Sequence, residues 1–335
     1  MSASARGRPI VIAALFAASL VVAGCGGSST ADTPPDEQKQ PPPPPPPPPP
    51  TGQASGSLQF YENMPRADDY ARITDLPVSF GVGEFTFEMW VRLDASLPVG
   101  PAGGTSTRNW SSADPAPYSS PQWWYAGNFL VDGHNNADFS SGTFSFQVIG
   151  GGRIRWLFGD GSAVTGGVLA VQAVPSSSTA SLLDGQWHHI AAVRRWQGST
   201  EARLELWIDG QLIATETSSR RTNMSTWWAT WSAFPSDQPG WLIGAEKFSA
   251  NGGAYWDDYK GGITEVRFFD RARTPGDLQL NWRQRPAPGT PGLVGSFRMV
   301  QPSNSLTCDD VLASRCFRVF PQSQPIWSPV NPLGQ

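Results

Sequence analysis

Histidine and cysteine are scarce in this chain, three of each among 335 residues. Two of the histidines, His188 and His189, stand side by side in DGQWHHIAAVRR, and the third, His134, lies in a distant Gly/Asn-rich stretch. Neither HxH nor HExxH occurs, and neighbouring residues of an extended segment point to opposite faces, so the adjacent pair cannot close on one metal ion. A structural role is the reading for both. Positive charge is not in excess either. Lys and Arg number 24 against 28 Asp and Glu, a formal net charge of -4, and the absence of a basic stripe excludes nucleic acid as a partner. CxxC, a phosphate-binding loop and a serine nucleophile elbow are all missing, which removes the usual signatures of dithiol redox, nucleotide and acyl-transfer chemistry. The apolar run Ile10 to Ala23 is too short to span a bilayer comfortably.

What that run does fit is an export signal, with Arg6 and Arg8 ahead of it and small residues after it. Its ending, Val22-Ala23-Gly24-Cys25, resembles the lipobox of bacterial lipoproteins, which implies that Cys25 becomes a lipid-modified N-terminus anchored to a membrane. Gly26 follows the cysteine where an Asp would retain such a protein at the inner membrane, so the expected location is the outer membrane or cell surface of a bacterium. Cleavage before Cys25 removes two arginines and no acids, leaving 22 minus 28, or -6. Residues 1 to 24 are thus read as the signal peptide. Residues 25 to 55 form a tether without apolar periodicity. Its ten consecutive prolines at 41 to 50 would extend about 31 Å as polyproline II. Cys308 and Cys316 remain, and in an oxidising compartment they are expected to pair with each other as a structural disulfide.

From residue 56 to 285 the pattern is that of an all-β domain. SLQFYE, DYARIT, FTFEMWVRL, TFSFQVIG, RIRWLFG, WHHIAAVRR, ARLELWID, QLIATET, GWLIGAE and ITEVRFFD read as strands, being short, β-rich and broken by Gly, Pro, Asn and Asp. Asp209-Gly210 joins two apolar runs and predicts a type I′ hairpin. TPGDLQLNW at 274 to 282 predicts one short helix, with Thr274 as cap and Pro275 in the first position. So many antiparallel strands suggest a two-sheet sandwich.

FTFEMWVRL, DGQWHHIAAVRR, LELWIDGQLIA, GWLIGAE and GGITEVRFFDRARTPGDL together, in this order and spacing, resemble the LamG-like jelly-roll domains of the concanavalin A-like lectin/glucanase superfamily. The resemblance covers roughly residues 57 to 282. It implies a β-sandwich in which DGQWHHIAAVRR is a central strand whose histidines pack beside Trp187. Residues 286 to 335 are expected to be a tail: Gly292 to Met299 adds one strand, as similar GLVG segments flank such domains, and the rest is a loop held by its disulfide.

Enzymes of the superfamily carry acids two residues apart on one strand, and that pattern is absent. Glu84 and Glu88, and Glu201 and Glu205, share a strand face at a spacing of about 13 Å, too wide for either glycosidase geometry, and are read as solvated. No catalytic residue is assigned. Many relatives bind calcium, and Asp257 and Asp258, with Asp68 and Asp69, form candidate ligands. Against this, the family's usual I-D-E-V-R segment is I-T-E-V-R here, with Thr264 in place of the acid. Of fifteen tryptophans, Trp90, Trp156, Trp187 and Trp207 sit in strand patterns and are read as core. Trp123, Trp124 and Tyr125, then Trp227, Trp228 and Trp231, then Tyr255, Trp256 and Tyr259 fall in turn-rich sequence, where rings suit stacking on sugars or an aromatic hot spot on a protein. The expected function is a non-catalytic recognition module for a glycan. The alternatives are a module binding an envelope or surface protein, and a glycoside hydrolase.

Overall fold

In a computed structural model the described residues are 56–60, 70–97, 127–133, 141–161, 168–172, 181–225, 240–245, 259–300, 306–320 and 327–333. They form two antiparallel sheets of eight strands each. The first contains β1 (Ser57–Phe60), β3 (Phe85–Leu93), β8 (His188–Gln197), β9 (Glu201–Ile208), β10 (Gln211–Ser218), β12 (Gly261–Phe269), β13 (Leu293–Phe297) and β16 (Trp327–Ser328). Its order is β10-β9-β8-β3-β12-β1-β16, with β13 also paired to β12. The second contains β2 (Tyr70–Ile73), β4 (Asn128–Asp132), β5 (Ser141–Ile149), β6 (Arg153–Asp160), β7 (Val168–Gln172), β11 (Trp241–Ile243), β14 (Leu306–Cys308) and β15 (Cys316–Phe320). They run β14-β15-β2-β11-β4-β5-β6-β7.

Side-chain alternation drives the two sheets together. Phe85, Phe87, Met89 and Val91 of β3 are buried on one face and meet Phe144, Phe146, Trp156 and Phe158 of the second sheet. The rings interlock edge to face, as in Phe87 and Phe144 at 5.2 Å and 75°. β4 and β7 escape sequence reading because NFLVD is buried at every position and shows no alternation, while VLAVQ is a single brief apolar run.

The hairpin between β9 and β10 forms as the Asp-Gly step requires, with φ of 49° at Asp209 and 75° at Gly210. A helix, α1 (Pro275–Leu280), starts at Thr274 with a full capping box to Asp277.

The last fifty residues differ from the expected tail. β13 extends the first sheet as anticipated, but β14 and β15 also pair in the second sheet and β16 pairs with β1. Proline and glycine punctuation concealed these short strands, which are stabilised by docking on existing edges. Cys308 and Cys316 are bonded and directly opposed in the β14–β15 register. Replacing both with serine is expected to lower stability by about 2–3 kcal/mol by chain entropy. An unchanged urea midpoint would show that strand pairing alone holds this hairpin.

Candidate functional site

A sandwich has two outward faces, and they differ here. On the first sheet, the segment from Asp270 to Arg285, including α1, lies across the outward face. Ala272 and Leu278 form a small second core with Ala191, Val193 and Trp207. Trp282 stacks on Trp90 at 5.4 Å and blocks the space beside Gly210. Under this roof lies an ion network. Arg273 Nη1 donates to Glu88 Oε1 at 2.5 Å, Arg267 lies 3.6 Å from the other oxygen, and His189 Nε2 is 3.4 Å from it. Glu88 and Glu205 are therefore not solvated as expected: they are 0% and 3% exposed. The roof hides them, and no strand period reports a segment that folds back from elsewhere.

A bulge in β12 places Glu265 at φ 50° beside this network. Arg267, Arg285 and Asn331 all donate to its carboxylate. The extra residue lets Thr264 and Glu265 sit next to each other while Ile263 and Val266 stay in the core. Thr264 answers the departure in I-T-E-V-R, because its hydroxyl donates to Gly56 O at 2.6 Å. A carboxylate there would face a carbonyl oxygen instead of donating to it.

The adjacent histidines do point apart. His189 is buried against Trp90 and Glu88. His188 is held between two acids, Nδ1 2.6 Å from Asp209 and Nε2 3.0 Å from Asp184. Burial alone would lower its pKa, but the two carboxylates raise it above its ordinary 6.5. A raised folded pKa stabilises fully below the unfolded value and loses that contribution as pH rises through the folded one. The thermal midpoint should therefore fall as pH is raised past neutrality, and a His188→Leu variant should lack that slope. Equal slopes in both proteins would place the titration elsewhere. Among the described residues no three His, Cys, Asp or Glu side chains form a metal-ligand group.

The outward face of the second sheet carries polar side chains. Ser145 and Gln147 on β5, Arg155 on β6, and Asp132 on β4 alternate with core residues and project away from them. Arg155 Nε donates to Gln147 Oε1 at 2.9 Å. These central residues are shielded from solvent, whereas at the β2 and β15 flank Tyr70 and Arg72 are half-buried and Arg318 is exposed. Among the described strand residues of this face, Asp132 is the single acid, so no carboxylate pair forms there.

Eight of the nine candidate rings, together with Cys25, Asp68, Asp69, Asp257 and Asp258, lie outside the described residues. The ninth, Tyr259, is a correction: it is 1% exposed, faces the Phe60 ring, and donates its hydroxyl to Arg92 O at 2.8 Å. It is a core residue and presents no stacking face. The described residues fix only the strand ends that flank the three aromatic connections. β3 to β4 and β11 to β12 depart and return at one end, where Gly244 N donates to Leu130 O and Asp94 N to Lys260 O. The connection holding Trp227, Trp228 and Trp231 joins β10 to β11 at the other end, where Met224 N donates to Gly81 O. Trp90, Trp156 and Trp207 are buried as expected, while Trp187 is half-buried, lying against Gly262 under Arg92.

A family model described as the concanavalin A-like lectin/glucanases superfamily matches residues 65–279. The chain belongs to this superfamily. No curated protein matches it. Among solved structures, a candidate carbohydrate binding protein from Bacteroides ovatus ATCC 8483 is similar at 13% identity and TM-score 0.48, over 80% of this chain and 58% of that one. The CBM40 of Ruminococcus gnavus IT-sialidase is similar at 10% identity and TM-score 0.40, over 67% and 95%. A heptameric SAP-like pentraxin from Limulus polyphemus gives 13% and 0.36, over 68% and 81%. The superfamily match spans 65–279, so β1 and β13 to β16 lie outside the matched residues.

Proposed function

We propose that this superfamily member is a lipid-anchored, non-catalytic recognition module of the bacterial cell envelope, binding carbohydrate through loop aromatics. The observation that carries the reading is membership of the concanavalin A-like lectin/glucanases superfamily over residues 65–279 together with the aromatic-rich sequence of the strand connections. Both sheet faces are shielded at their centres, one by residues 270–285 and the other with Ser145, Gln147, Arg155 and Asp132 buried, which leaves the strand connections as the place for a ligand. Hydrolysis needs two carboxyl groups placed about 5 to 9.5 Å apart, and Asp132 stands alone among the described strand residues of that face, which supports binding over turnover. The apolar run ending at Cys25 and the proline tether support export and anchoring.

A glycan-array screen of the full chain tests the reading, alongside two variants in different strand connections. One replaces Trp227, Trp228 and Trp231 with alanine, the other Trp123, Trp124 and Tyr125. Saturable binding lost in one variant and kept in the other is expected. A blank array with retention of a single envelope protein would replace the glycan by a protein partner. Polysaccharide cleavage that stops on an acid-to-amide change would make the protein a hydrolase.

A further inference from the structure

Across the outward face of the first sheet the strands set side chains in rows. His189 on β8, Trp90 on β3 and Thr264 on β12 are register partners in one row. It lies under the roof, since Trp282 stacks on Trp90, which is buried. Two residues further along each strand comes the row of Trp187, Arg92, Gly262 and Gln59. Arg92 pairs with Gly262 and Gly262 with Gln59, while Trp187 stands just before His188, the partner of Val91. Leu58, Phe60, Val91 and Leu93 fill the core, so alternation turns Gln59 and Arg92 outward. In this row Trp187, Arg92 and Gln59 are only half-buried.

Glycine at 262 lets the indole rest on bare strand, because a Cβ there would fall 2.6 Å from the Trp187 ring. The Arg92 guanidinium lies 5.3 Å from the centre of that ring and donates Nη2 to Gln59 Oε1 at 2.7 Å. Stacking and this hydrogen bond hold the planar fork in one orientation. Its Nε and Nη1 donate to no described residue and are not enclosed. A pyranose needs such a pairing: its C–H groups pack on the exposed part of an aromatic ring, and two neighbouring hydroxyl oxygens accept from one guanidinium edge.

Local charge selects a neutral ligand. Asp94 lies close enough to Lys260 and Arg92 for both charges to lower its pKa, and Asp184 stands three residues before Trp187. Two acids beside two cations leave no positive excess for a polyanion. β3 ends at Leu93 and β12 begins at Gly261, so Arg92 and Gly262 adjoin the connections that hold Trp123, Trp124, Tyr125 and Trp256.

We propose that Trp187, Arg92 and Gln59 form a subsite for a neutral pyranose with two adjacent free hydroxyls. The proposal rests on the carbohydrate-binding reading and narrows it to a ligand class.

The test measures binding of xylan, galactomannan, laminarin and polygalacturonate to the full chain and to its Arg92→Ala, Gln59→Ala and Trp187→Ala variants. Xylan or galactomannan is expected to bind the parent with an affinity that added salt leaves unchanged. Periodate, which cleaves between adjacent hydroxyls, should abolish the binding of either polysaccharide. Laminarin, whose 1,3-linked residues lack adjacent free hydroxyls, should bind weakly. Arg92→Ala and Trp187→Ala are expected to lose about ten-fold in affinity, and Gln59→Ala, which frees the fork to turn, about three-fold. Thermal unfolding checks each variant, and if one fails to fold, Gln59→Ala and the periodate comparison still decide. The proposal fails if neither xylan nor galactomannan binds, if folded Arg92→Ala binds undiminished, if laminarin binds equally well, or if polygalacturonate binds most tightly and salt releases it. Any array glycan bound equally by parent and Arg92→Ala removes this subsite and leaves carbohydrate recognition standing. A protein silent to every glycan on the array removes both.

Discussion

Glu88→Gln is expected to destabilise the fold by about 3–5 kcal/mol, the usual consequence of removing one partner from a buried ionic cluster. Glu88 is fully buried and faces Arg273, Arg267 and His189, so an amide would leave the two guanidiniums without their shared counter-charge beneath the roof. Chemical denaturation of parent and variant measures the loss, and a difference below about 1 kcal/mol would show that water reaches the cluster. The same residue sets an acid limit. Burial alone would raise its pKa, yet the hydrogen bond from His189 and the charges of Arg273 and Arg267 bring it down from 4.5 to about 2. A depressed carboxylate contributes fully above its unfolded pKa and loses that contribution as pH falls through the folded one. Between 4.5 and about 2 the parent should therefore lose stability that the variant does not have to lose.

The second large effect is expected at Trp241→Ala, a loss of about 3–5 kcal/mol by cavity formation. Trp241 is 1% exposed and stacks on Phe144 at 4.5 Å and 17°. It also meets Phe80, Phe87 and Phe268 at 5.8 to 6.0 Å. Its ring occupies the space a side chain at Gly133 would need, 2.5 Å from the position of a Cβ there. Emptying that volume uncouples the two sheets where β11, three residues long, bridges β2 and β4. Urea unfolding gives the magnitude, and a value below about 1.5 kcal/mol would mean that the surrounding rings collapse into the gap.

Most strands of the sandwich, though not β4, β7 or β14 to β16, were legible in the residues, as were the Asp209-Gly210 hairpin, the capped helix at Thr274 and the pairing of Cys308 with Cys316. Each depends on neighbours a few positions away, through side-chain alternation, positive φ, backbone capping or a short closed loop. The family was legible for the same reason, since its signature is a series of such local segments in fixed order. What lay beyond reach were the residues whose surroundings come from distant chain. Glu84 and Glu88 have the same strand spacing whether or not a roof covers them, and only the return of residues 270–285 buries Glu88. Tyr259 and Tyr255 sit in one turn-rich stretch, but Tyr259 is drawn inward by carbonyls of Arg92 and Gly262. Arg318 and Arg72 are 246 positions apart and become neighbours through strand register alone. The sequence by itself determined that this protein is a β-sandwich. The tertiary structure decided which charges are buried and which distant residues meet, because burial and register are properties of the packed sheets and not of any one segment.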